Sequence, residues 1–250
     1  MKIELFSIGP ITVHGYGFMI ALGILCCVAM ASYRAKKYNM NPDAILDIAI
    51  YGVIAGFLGA KLMYVIVEFP QFIKDPMSVI GSEGFVVYGG IIVGVLAAIL
   101  YCRIKKLAFF EYFDLCAPSI SLAQGFGRIG CFLAGCCYGR ETDSIFGVVF
   151  PESALAPSGV KLLPTQLFSS AGDFLITIVL LLYYKKKKHT GDVGAMYMLL
   201  YGVGRFLIEM LRNDDRGAVG ALSTSQFISI FIVIGAVVLF KWNKSRSEKQ

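Results

Sequence analysis

Charge is what this sequence has least of. Asp, Glu, Lys and Arg make up 16% of its 250 residues, 57% are hydrophobic, and the mean hydropathy is +0.70. A soluble domain of this length carries about 25% charged residues. The deficit excludes a water-solvated globular enzyme and fits a chain solvated by acyl tails. Zinc-ribbon spacing is also missing. The seven cysteines, Cys26, Cys27, Cys102, Cys116, Cys131, Cys136 and Cys137, form no repeated Cys-x-x-Cys pair, which leaves the metal reading weak. Several are expected to pack as small apolar residues in helices. The first apolar stretch has no basic region before it and no small-residue cleavage site behind it. It therefore reads as a retained helix and not a removed signal peptide.

What is present is a series of apolar runs. A hydrocarbon core about 30 Å thick needs roughly 20 apolar residues per helix. The runs predict an all-α polytopic membrane protein with seven transmembrane helices, at about 15–34, 44–67, 86–103, 113–135, 164–184, 194–211 and 223–241. They leave room for one integral membrane domain over 1–250 and nothing more. Alternate loops hold Arg34, Lys36, Lys37, Arg103, Lys105, Lys106, Lys185–Lys188, Lys241, Lys244, Arg246 and Lys249, which is 14 of the 23 basic residues. The opposite loops hold six: Lys2, Lys74, Arg140, Lys161, Arg212 and Arg216. Basic residues stay cytoplasmic, so the N-terminus is expected outside and the C-terminus inside. The run from Lys185 to His189 reads as a topology anchor at an anionic leaflet, and no nucleic-acid partner is expected.

Three charges sit where lipid alone would not tolerate them. Arg128 lies near the outer end of the fourth predicted span; Arg205 and Glu209 lie one helical turn apart in the sixth. A charge at a helix centre costs about 2.5–3.5 kcal/mol on insertion scales, and such residues usually face a cavity or a partner. Arg205 and Glu209 can pair at i,i+4, but Arg128 has no carboxylate near it in sequence. Glycines 125, 127, 130, 202 and 204 surround both arginines. They allow either close helix packing or the approach of a bulky headgroup. Two arginines in one cavity suit a phosphate, whose oxygens match the guanidinium fork.

Taken in order, these residues resemble the bacterial prolipoprotein diacylglyceryl transferases along nearly the whole chain. The resemblance runs through Ile8-Gly9-Pro10, His14 to Gly17, Gly59-Ala60-Lys61 to Tyr64, and Tyr88-Gly89-Gly90 to Gly94. Its strongest block is Gly127-Arg128-Ile129-Gly130-Cys131-Phe132 through Tyr138-Gly139-Arg140. Pro164 to Phe168, Tyr201 through Glu209, Arg212 with Asp214-Asp215-Arg216, and Ser223 to Gln226 complete it.

The resemblance implies transfer of the diacylglyceryl group of phosphatidylglycerol to the lipobox cysteine thiol of a preprolipoprotein. A thioether forms and glycerol phosphate leaves. It implies a multi-pass protein of the bacterial cytoplasmic (inner) membrane whose site faces the outer leaflet, with neither cofactor nor metal. By the same resemblance Arg128, Arg205, Tyr88 and Glu209 are the catalytic candidates. Tyr16, Lys61, Gly89, Gly90, Cys131, Cys136 and Gly139 are the substrate-binding ones.

Three positions depart from the family pattern. Tyr88 stands where the family has histidine, Cys131 where it has asparagine, and Cys136 where it has glutamate. A phenol is a poorer base than imidazole at neutral pH, while a cysteine beside an arginine has a route to a thiolate. Lineage variation around a tolerant site is the plainer reading. A relative acting on a different acceptor, or a lipid-binding or transport protein without chemistry, is the alternative. No internal repeat or pair of broken helices of the transporter kind supports the last.

Overall fold

The computed structural model describes residues 4–8, 11–82, 84–152, 154–214 and 217–247. Lys2, Gly9, Pro10, Asp215, Arg216 and Lys249, used in the sequence reading, lie outside them. The chain is mostly helical: α1 Gly15–Lys37, α2 Pro42–Val67, α3 Phe69–Lys74, α4 Pro76–Ile80, α5 Val87–Ile104, α6 Phe109–Ala134, α7 Thr165–Tyr184, α8 Asp192–Glu209 and α9 Thr224–Ser247. Three antiparallel two-stranded hairpins accompany the helices: β1 Glu4–Ile8 with β2 Ile11–His14, β3 Val148–Val149 with β4 Lys161–Leu162, and β5 Ala218–Val219 with β6 Leu222–Ser223.

Five helices, α1, α2, α5, α7 and α9, are long and apolar enough to cross a membrane. Among the described residues α6 and α8 are as long, yet they carry the polar side chains that line the candidate site and stand outside that group. The stretch between the second and third expected spans contains α3 and α4. Proline opens each of these, and Asp75 caps α4 by accepting from the amides of Met77 and Ser78 at 3.2 Å each. Asn41 caps α2 by accepting from the amide of Asp43, with Pro42 at the first helical position, where its missing N–H costs nothing.

The chain divides into two compact units, Met1–Met30 with Phe113–Gln250, and Ala31–Tyr112. In the second, α2 and α5 pack backbone to backbone. A Cβ on Gly59 would stand 2.5 Å from that of Val93, and one on Gly89 would stand 2.4 Å from the Gly59 carbonyl oxygen. Small residues at such a crossing let two membrane helices gain dispersion contact that acyl chains do not offer. Phe57, Leu58, Ile66, Leu96 and Leu100 are exposed on the outward faces of this pair. So much apolar surface is at home in lipid and not in water.

The first unit is held by polar side chains that reach the backbone of a neighbouring helix. Ser121 donates to the Asp173 carbonyl at 2.7 Å and Ser170 to the Gly125 carbonyl at 2.9 Å, joining α6 to α7. Tyr197 of α8 donates to Gln124 of α6 at 2.9 Å. At the N-terminal end of α8, buried Asp114 accepts from the amides of Gly191 and Gly194 at 2.8 Å each and from Lys187 Nζ at 2.9 Å. Lys187, read from sequence as a membrane-surface charge, is thus also part of a structural ion pair.

Candidate active site

The C-terminal turns of α6 and α8 carry Arg128 and Arg205, and α7 stands between them in chain order. One cavity is lined by Arg128 from α6, by Phe168, Ser169, Gly172, Asp173 and Ile176 from α7, and by Tyr201, Gly204, Arg205 and Ile208 from α8. It encloses about 60 Å³, several times the roughly 10–15 Å³ that one water requires. Both arginines therefore meet in one space, although 77 positions separate them in sequence.

The local chemistry of the two arginines differs. Arg205 Nη2 lies 3.1 Å from Glu209 Oε2 and 2.9 Å from Ser225 Oγ. Glu209 is buried, and its Oε2 also lies 3.5 Å from Arg212 Nη1, while Ser223 Oγ donates to its Oε1 at 2.9 Å. The expected i,i+4 pair is therefore present, and Glu209 orients two arginines at once. Arg128 makes no ion pair among the described residues. Its guanidinium is the cation of the cavity that no carboxylate engages directly, which suits it to an anionic ligand.

The glycines around the arginines divide into two kinds. An added Cβ at Gly125 would run into Phe174 at 2.5 Å, one at Gly202 into Val233 at 2.8 Å, and one at Gly130 would crowd Tyr16 and Met19 at 3.2 to 3.3 Å. Those three serve packing. Gly127 and Gly204 face open space, and Gly204 lines the cavity. The packing expectation thus holds at Gly125, Gly130 and Gly202, while Gly127 and Gly204 serve no packing contact.

Beyond Ala134 the chain turns back through Gly135 (φ +74°) and Cys137 (φ +61°). The left-handed region is unfavourable for a side chain such as that of Cys137. The turn is held from outside. Thr165 Oγ1 donates to the Cys137 carbonyl and Gln166 Nε2 to the Cys136 carbonyl, both at 2.7 Å. Gly139 donates its amide to the Leu163 carbonyl at 2.9 Å, and Asn213 donates to the Tyr138 carbonyl at 3.2 Å. Phe150, Ala156 and Leu162 form a small buried cluster beneath this loop, with Phe132 and Tyr138 packed on it. The sulfurs of Cys131, Cys136 and Cys137 all lie within 4.8 Å of one another. Hydrogen bonds from Cys131 and Cys136 draw the Cys137 thiol well below its ordinary range, with Arg212 and Arg128 assisting. The same mutual bonds push Cys136 up.

Tyr16, at the start of α1, packs on Gly130 and lies within electrostatic range of the three cysteines and Arg128. Buried Gly139 has a packing reason of its own, because a Cβ there would meet Leu163 and Thr165 at 2.8 Å. The remaining candidates belong to the other unit. Lys61 Nζ donates to the Ser82 carbonyl at 2.6 Å and to the Gly84 carbonyl at 3.3 Å, and stands 5.0 Å over the Phe85 ring. It ties down the segment before α5. Gly89 and Gly90 press on the α2 backbone at Gly59 and Gly56. Tyr88, half-buried, occupies the first turn of α5.

Asp173 was missed by the sequence reading. It is buried, it lines the two-arginine cavity, and it is the only charged residue in α7. That isolation was a usable signal, since a lone carboxylate in an apolar span is a functional candidate by default.

A sequence profile of the prolipoprotein diacylglyceryl transferase family matches residues 3–242. A Clostridium tetani protein named phosphatidylglycerol–prolipoprotein diacylglyceryl transferase is 48% identical over 252 residues, covering 100% of both chains. A Clostridium perfringens protein named phosphatidylglycerol–prolipoprotein diacylglyceryl transferase 2 is 47% identical over 252 residues, covering 100% of this chain and 98% of its own. A Staphylococcus haemolyticus protein of the same name as the first is 34% identical over 242 residues, or 94% of this chain and 86% of its own.

Proposed function

The chain belongs to the prolipoprotein diacylglyceryl transferase family, and from that premise we propose how its residues move a diacylglyceryl group from phosphatidylglycerol to a prolipoprotein. The observation that carries the reading is the cavity in which Arg128 and Arg205 meet. The phosphate of phosphatidylglycerol lies between the two guanidinium groups. Arg128 is held by no carboxylate among the described residues and takes the phosphate oxygens. Arg205 shares its charge with Glu209, which keeps its fork oriented. The lipobox sulfur, giving up its proton to solvent, attacks the diacylglyceryl carbon that bears the phosphate ester oxygen. As the C–O bond breaks, negative charge grows on the departing oxygen, and preorganised donors in a low-dielectric site stabilise it. The products are a thioether and glycerol phosphate.

Gly204 and Gly127, which face open space, leave room for the headgroup. Tyr16, Cys131 and the turn carrying Cys136 and Gly139 serve the phosphate side of the substrate, while Tyr88, Lys61, Gly89 and Gly90 keep the substrate roles that the family resemblance gives them. Turnover of phosphatidylglycerol labelled in its headgroup is the direct test. Wild-type protein is expected to release labelled glycerol phosphate only when an acceptor peptide carries its lipobox cysteine. Release that ignores the acceptor would overturn the reading.

The protein spans the bacterial cytoplasmic (inner) membrane seven times, N-terminus out, with the site open to the outer leaflet. The basic loops support this orientation, and the polar faces of α6 and α8 are accommodated by the cavity they line. Reporter fusions after Lys37, Lys106 and Lys188 are expected to report cytoplasm, and those near Gly81 and Gly217 the outside. One exchange between the two groups would break the seven-span topology.

A further inference from the structure

Spacing along the chain argues against a metal site, yet the fold brings three thiols together. Cys131 lies in the last turn of α6, and the left-handed turn through Gly135 and Cys137 carries two more sulfurs back to it. All three Sγ atoms lie within 4.8 Å of one another. None is in a disulfide, and all three are half-buried. A tetrahedral ion with bonds of about 2.3 Å to sulfur holds thiolates roughly 3.8 Å apart. Side-chain rotations of about 1 Å therefore suffice to close the cluster on such an ion. The carbonyls of Cys136 and Cys137 are already occupied by Gln166 and Thr165, and the Cys136 thiol donates a weak bond to the Cys131 carbonyl at 3.7 Å, so the turn is positioned and only that one thiol contact has to be given up for the three sulfurs to bind. The conformation of Cys137, one that side chains avoid, is held in place by these contacts, as strained residues at binding sites are. Arg128 and Arg212 both act electrostatically on Cys137, and offset the negative charge of a thiolate cluster.

The adjoining cavity supplies a chemical reason for such a site. Its lining offers Asp173 but no imidazole. A coordinating cation deprotonates a thiol outright.

We propose that Cys131, Cys136 and Cys137 bind one zinc-class ion through three thiolates, and that its open fourth position receives the acceptor thiol. Three protein ligands and one exchangeable position is the arrangement of reactive zinc sites. The second half of the proposal rests on the transferase reading above; the first half does not. As the acceptor sulfur binds the ion, its proton leaves to water. A sulfur lone pair forms the C–S bond to the glyceryl carbon while the C–O bond to phosphate breaks. Glycerol phosphate leaves with that electron pair. The resulting thioether is neutral and a weaker ligand than a thiolate, so the product departs and the position reopens.

The test uses full-length protein in detergent, with Zn²⁺ or Co²⁺ alone as the probe. Wild-type protein is expected to retain about one Zn²⁺ per chain after desalting, and to show thiolate-to-metal charge-transfer bands with Co²⁺. Acceptor peptide, added without lipid, should shift those bands. Cys131→Ser, Cys136→Ser and Cys137→Ser should each weaken binding roughly tenfold or more, while Cys26→Ser should not. A second measurement needs no variant: Zn²⁺ should shield three of the seven cysteines from maleimide, counted by intact mass. The proposal is overturned if catalytically active protein binds no ion, if the three variants bind as well as wild type, or if freshly isolated protein holds these cysteines in a disulfide. Bands that ignore the peptide would overturn the fourth-position role. Metal binding needs no turnover, so a wild-type protein that binds Zn²⁺ but never transfers label would count against the transferase reading and leave the metal site standing.

Discussion

Helices α6 and α8 carry charge toward both ends, and the two ends are built on opposite lines. At one end Asp114 has no exposed surface and accepts from two backbone amides and Lys187. Asp192 accepts there from the His189 amide at 3.0 Å and from Asn243 at 3.2 Å. Each of these carboxylates is met by donors that the fold itself supplies. Fourteen residues further along α6, roughly 21 Å at 1.5 Å per residue, Arg128 faces a cavity with no ion pair among the described residues. The neighbouring Glu209 is shared between two arginines. A buried charge consumed by local donors is structural. A surplus of cations facing a cavity is available to a ligand.

Substitutions at the two ends should therefore separate stability from activity. The largest effect is expected for Asp114→Ala, which strands two amides and an ammonium. Breaking a buried pair from one side costs about 3–5 kcal/mol, read as a lower unfolding midpoint in detergent. Transfer per folded molecule should stay close to wild type. A loss of turnover without a loss of stability would break the comparison.

Next come Arg128→Lys and Arg205→Lys. An ammonium does not reproduce the bidentate fork, and losing a charge-assisted contact removes about 1.5–3 kcal/mol. That is a fall of roughly tenfold to more than a hundredfold in kcat/KM, with the unfolding midpoint nearly unchanged. Wild-type turnover in either variant would remove the phosphate role from that arginine.

The smallest effect sharpens the boundary between the two kinds of region. Thr165→Val keeps the shape of a side chain that holds the Cys137 carbonyl at 2.7 Å. The lost hydrogen bond should cost about 0.5–1.5 kcal/mol of stability. A structural role stops there. A role in positioning the cysteine turn adds a change in thiol reactivity, read as faster maleimide labelling of Cys136 and Cys137.

The helices were legible from the sequence because hydropathy and helix length are properties of contiguous residues. Observed α2 and α7 begin or end within two residues of the expected 44–67 and 164–184. The pairing of Arg205 with Glu209 was legible for the same reason, being one turn of a single helix. The three hairpins were not, as strands of two to five residues leave too short a pattern. Asp173 was overlooked in an otherwise apolar run, although its isolation marked it.

By itself the sequence determined a mostly helical membrane protein, its two arginines and its family, since composition, periodicity and ordered motifs survive without a fold. Tertiary structure decided what each polar group does. The partners of Asp114 lie 73 to 80 positions away, and the two arginines of the cavity lie 77 apart. Gly89 and Gly139 proved to be points of close packing, while Gly204 opens on the cavity. A spacing that matches no metal motif became a cluster of three sulfurs through one left-handed turn. Hydrogen bonds and ligand shells act over about 3 Å, and proximity on that scale is created only when distant segments pack.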